Sequence, residues 1–179
     1  EWAMDLFDQG EYTECFKLFP LAIQYDESNP AIYLQLGKVN MHIKSYNEAI
    51  TQLRKSLELN PEQAECYIYL SECYEVIENI YEEKIALLKA IKYDSENAYA
   101  HYRLARLYAR QRDVENEIAS LKKVLQLDPN HIGARHQLAL IYEGQGQITD
   151  AIEMYESILK LDPENETAKE NLAMLKDEN

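Results

Sequence analysis

Arg103, Arg106 and Arg110 are spaced i, i+3 and i+7, which on a helix makes one basic stripe, with Tyr99 and Tyr102 near its start. Guanidinium forks beside tyrosine faces suit an acidic, phosphorylated or carboxylate-terminated peptide. The alternative assignment pairs these arginines with Glu72, Glu75 and Glu143 as structural bridges of small net value. Other chemistry-bearing residues are scattered. His42, His101, His131 and His136 never share a helix face with His, Cys or carboxylate at metal-ligand spacing, so no metal or other cofactor is expected. Cys66 and Cys73 are two helical turns apart, roughly 10 Å, too far for a disulfide. With Cys15 they read as small core residues in a reducing compartment, and the cytoplasm is the expected location. Gly144-Gln145-Gly146 has no strand before it and is a turn, not a phosphate loop. Asn165-Glu166-Thr167 has the form of a glycosylation acceptor but reads as a helix start, with Thr167 or Asn165 as cap. No nucleophile stands beside a base, so catalysis is not expected.

The elements that position these residues follow from a period. Leu36, Leu70, Leu104, Leu138 and Leu172 recur every 34 residues, and the next residue is small each time: Gly37, Ser71, Ala105, Ala139 and Ala173. Ala3 lies one interval upstream of Gly37. Small side chains there let two helices approach closely. The same interval links Tyr74, Tyr108 and Tyr142, and also Ile23, Leu57, Ile91, Leu125 and Leu159. Asn60-Pro61, Asp128-Pro129 and Asp162-Pro163 stop one helix at matching places. Within a unit, Ala49, Ile50, Leu53 and Leu57 keep helical spacing, and Lys44-Ser45 breaks it, so each unit is predicted to be two antiparallel helices. Neither helix buries its apolar face alone, so units must stack.

This pattern resembles the tetratricopeptide repeat. Residues 132 to 163 carry it most fully, with Leu138-Ala139, Tyr142, Gly146, Ala151, Tyr155 and Pro163; residues 30 to 61 follow with Tyr33, Leu36-Gly37, Tyr46, Ala49 and Pro61. Asn40 in place of an aromatic, Glu83 and Glu117 in place of Ala, and Ser95 in place of the final Pro depart from the pattern and put local packing in question. The resemblance implies an all-α fold, a right-handed superhelical solenoid of antiparallel helix pairs. The expected divisions are a partial repeat at 1–29, repeats at 30–63, 64–97, 98–131 and 132–165, and a capping helix at 166–179. A start inside a first helix reads as a fragment of a longer array.

The resemblance also implies a non-catalytic scaffold that holds a peptide or helix of a partner in a groove lined by first helices. The nominated partner-binding residues are Arg103, Arg106, Arg110, Tyr99, Tyr102, Lys38, His42, Tyr69, His136 and Gln137. Some members hold a chaperone's acidic C-terminus with a carboxylate clamp; the corresponding places here are Leu34, Lys38, Tyr69, Tyr99 and Arg103, and only Arg103 fits. The alternative function is self-association through the incomplete first unit or the capping helix. A net charge of −14 disfavours nucleic acid and anionic lipid as partners. No apolar run approaches the roughly 18 to 20 residues that cross a bilayer.

Overall fold

The computed structural model describes residues 12–177. The expectations for Ala3 and for the turn at Gly10-Glu11 lie outside these residues, as does the side chain of Cys15. Among the described residues there are ten helices and no strand: α1 Tyr12–Tyr25, α2 Pro30–His42, α3 Tyr46–Leu59, α4 Ala64–Val76, α5 Ile80–Tyr93, α6 Ala98–Gln111, α7 Val114–Leu127, α8 Ile132–Gly144, α9 Ile148–Leu161 and α10 Glu166–Asp177. The chain divides into two compact units at Ser95–Glu96. In unit 1 α2 packs on α3 and α4 on α5; in unit 2 α6 packs on α7 and α8 on α9, with α10 against α9.

Four helix starts, those of α2, α6, α8 and α10, are capped by the side chain just before them. Asn29 Oδ1 accepts from Ala31 N at 3.0 Å, with Pro30 opening the helix where no amide hydrogen is needed. Asn97 Oδ1 accepts from Ala100 N, His131 Nδ1 from Ala134 N, and Asn165 Oδ1 from Ala168 N. Each satisfies an amide that the first turn leaves without a helical partner.

The turn inside each pair has its own recurring geometry. Lys44, Glu78, Arg112 and Gly146 all sit at positive φ, between 58° and 72°, and each is 34 residues from the next. Only Gly146 takes that conformation without steric cost.

The small residue after each leucine does what its size allows. A Cβ on Gly37 would meet Leu53 Cδ2 and Cγ of α3 at 2.7 Å. Ser71, Ala105 and Ala139 are buried at the same register, and Ser71 Oγ donates to Ile68 O. Ala173 is the exception, exposed on α10.

The departures from the repeat pattern are absorbed without breaking a helix. Asn40 is buried and donates from Nδ2 to Leu36 O at 2.9 Å, which meets its polar need inside its own helix. Glu83 and Glu117 are buried within continuous α5 and α7. Cys66 and Cys73 are buried thiols; Cys66 Sγ donates to Leu53 O, and burial pushes its thiol up to about 12. Such a thiol is a packing group and a poor nucleophile.

Candidate functional site

In unit 2 the first helices α6 and α8 and the start of α10 line an open, shallow cavity of about 300 Å³. Tyr102 enters from α6, His136 and Gln137 from α8, and Asn165 and Thr167 from the start of α10. Local structure sets each position. His131 caps α8 and its ring lies 4.6 Å from that of Tyr102, so one imidazole both starts the helix and holds the tyrosine. Gly133, on the cavity wall, leaves room for Tyr102: a Cβ there would stand 3.1 Å from the Tyr102 hydroxyl.

His136 ties this cavity to the core. Its ring meets the edge of Tyr155 at 6.0 Å, and its Nε2 is buried without a hydrogen bond. Tyr155 is fully buried and accepts from Asn171 Nδ2 at 3.0 Å, which joins α9 to α10. Burial, and then the neighbouring Glu143 carboxylate, raise the Tyr155 phenol above its ordinary range, so it stays protonated at neutral pH. By contrast, Tyr102, Gln137 and Thr167 make no hydrogen bond to another described residue, and their polar atoms remain available at the cavity mouth.

Three of the ten nominated residues, Tyr102, His136 and Gln137, therefore meet in one cavity. Arg103 is a correction to the exposed basic stripe: it is only 6% exposed. Its Nη1 donates to Tyr99 Oη at 3.3 Å and its guanidinium lies 5.7 Å from the Tyr99 ring centroid. An arginine reaches such a site because its long stem packs while its head finds a partner. Arg106 and Arg110 are exposed on α6.

The remaining nominees lie in unit 1. Lys38 Nζ on α2 stands 3.6 Å from Glu65 Oε1 and 5.2 Å from the Tyr69 ring centroid, both on α4. His42 is exposed in the last turn of α2. Lys38 and Tyr69 thus form one cluster and His42 stands at a helix end.

Sequence reasoning missed His131, Ile132 and Gly133. The signal was present for His131, which falls 34 residues after Asn97 and 34 before Asn165, in the column of capping residues. Histidine is an unusual cap, and composition alone hides it.

An all-α chain of 34-residue helix pairs, with an open cavity on its first helices, defines a helical-repeat protein of the interaction class. Tetratricopeptide repeat profiles match residues 30–63, 85–132 and 118–175, and the chain belongs to that family. None of the curated proteins compared matches the sequence. Among solved structures, MamA is similar at 25% identity and a TM-score of 0.84 over 91% of this chain and 95% of that one. MamA from Desulfovibrio magneticus is similar at 18% identity and a TM-score of 0.81 over 92% and 93%. YrrB, described as a protein of this family with an unusual peptide-binding site, is similar at 19% identity and a TM-score of 0.77 over 94% and 87%. Among the described residues, no helix is long and apolar enough to cross a membrane.

Proposed function

We propose that this protein is a non-catalytic scaffold that holds a short segment of another protein against the first helices of unit 2. The observation that carries the reading is the cavity of about 300 Å³ in which Tyr102, Gln137 and Thr167 offer polar atoms committed to no described residue. An acidic segment suits it, because Arg106 and Arg110 are exposed on the helix that carries Tyr102. Full repeats are assigned to 30–63, 64–97, 98–131 and 132–165, with α10 as the capping helix. The buried, unbridged thiols suit a reducing compartment, and we place the protein in the cytoplasm.

Affinity capture from cell extract tests this reading. Thr167→Trp fills the cavity from an exposed position, and Arg106→Glu with Arg110→Glu reverses the exposed charge. Each is expected to lose the captured partner while the helical circular dichroism at the assay temperature stays that of the parent. Capture retained by both, with that signal intact, contradicts the site. Arg103 is unsuitable for charge reversal because its burial confuses binding with folding.

Self-association through the capping helix α10, whose Met174 is 57% exposed, is the second reading. Light scattering over a concentration range separates the two: a constant monomer mass removes self-association.

A further inference from the structure

On the second-helix side of unit 1, α3 and α5 leave a cleft of about 320 Å³ above α4. Leu57, Leu70, Ile85 and Ala86 give it an apolar floor and walls. Tyr74 lies at one end and Tyr67 at the other, seven residues apart on α4 and so roughly 10 Å along the axis. The length suits one large apolar side chain and a neighbouring polar group.

The two ends differ in charge balance. At the Tyr74 end, Arg54 Nε donates to Tyr74 Oη at 3.1 Å and Arg54 Nη2 stands 3.9 Å from Glu82 Oε2. That end is internally matched. Glu58, the other carboxylate on the lining, lies 3.1 Å from Lys55 Nζ. At the Tyr67 end, Lys89 Nζ sits 5.4 Å from the Tyr67 ring centroid and forms no ion pair with a described carboxylate. The Tyr67 ring is held by stacking on Tyr93, with centroids 5.7 Å apart and planes 9° from parallel. Its hydroxyl bonds to no described residue. Burial raises the Tyr67 phenol above its ordinary range, so it is a hydrogen-bond donor at neutral pH.

One end of the cleft thus presents an ammonium and a phenol with their donors uncommitted, on a chain of net charge −14. We propose that this cleft binds a segment of a partner protein in which a large apolar side chain is followed by a carboxylate. The side chain lies on Leu57, Leu70 and Ile85, and the carboxylate meets Lys89 Nζ and Tyr67 Oη. Charge complementarity selects the occupant: a neutral segment can accept hydrogen bonds here but brings no charge to match Lys89, and a basic one meets it with like charge. The site is separate from the unit 2 cavity, so either can fail while the other stands.

The test is a nuclear magnetic resonance titration of the whole nitrogen-15-labelled chain with acetyl-Ala-Phe-Glu-Ala-amide, and with the same peptide carrying Gln for Glu. The acidic peptide is expected to shift the backbone amides of Tyr67, Ile85 and Lys89, and the Gln peptide to bind roughly threefold more weakly or worse. Lys89 is exposed, so Lys89→Glu keeps the fold and is expected to abolish the preference; Lys89→Met repeats the test without adding a negative charge. Thr167→Trp is expected to leave these shifts unchanged. Equal affinity for the two peptides, shifts that persist unaltered in both Lys89 variants, or no shifts at these residues at millimolar peptide overturns the proposal.

Discussion

Glu117 sits on α7 where the repeat usually carries alanine; it is 7% exposed, and burial raises its carboxyl above the usual range. The folded chain therefore holds that proton more tightly than the unfolded chain, whose glutamates titrate near about 4.3. Stability from this group is present at low pH and is lost as pH rises from that value through the raised folded one. Glu117→Gln is expected to melt higher than the parent at pH 7, with the gap closing at pH 4; a gap independent of pH contradicts this account. The same scale shows what the sequence hides. Arginine reads as a surface residue, so the burial of Arg103 against Tyr99 is invisible until the packing around α6 is known. Tyr102, His136 and Gln137 could be nominated by helix face alone, whereas Gly133 reads as a helix weak point until the Tyr102 hydroxyl is seen beside it.

Helices and their pairing follow from a pattern that needs no tertiary knowledge, because leucine followed by a small residue repeats at 34 and Pro61, Pro129 and Pro163 stop three of the second helices in step. The turn inside each pair was less legible. Gly146 announces the left-handed residue, but Lys44, Glu78 and Arg112 occupy the same place without any local preference for it. Their conformation costs roughly 1–2 kcal/mol each, of which glycine returns part, since it is also the more flexible residue when unfolded. Lys44→Gly, Glu78→Gly and Arg112→Gly are each expected to raise the melting temperature by about 2 °C. Calorimetry on the three single variants checks this, and a lower melt for all three contradicts the assigned turn geometry. Asn40 shows the opposite case: a polar residue at an aromatic position is tolerated because Leu36 O accepts its amide, and no periodicity argument foresees that bond.

With 32 acidic against 18 basic residues, the whole chain repels itself. The surface pairs Lys55–Glu58, Lys169–Glu166 and Lys176–Glu156 offset little of this, since exposed pairs contribute small amounts. Raising sodium chloride from about 20 to 150 mM shortens the Debye length to about 8 Å and is expected to raise the melting temperature. A fall with salt would mean that the ion pairs outweigh the repulsion. The same net charge makes the local arrangement around Tyr102, His136 and Gln137 decisive for any acidic ligand, because the molecule as a whole opposes its approach. The most direct measurement places the photo-crosslinking residue p-benzoylphenylalanine at position 167, in place of exposed Thr167 at the cavity mouth, and identifies what it captures in cell extract by mass spectrometry. Crosslinks concentrated on one acidic segment of one partner protein are the predicted result. A photoreactive chain that folds normally and yields no crosslinked protein, or crosslinks spread over basic segments of many proteins, contradicts the claim that unit 2 holds a partner there.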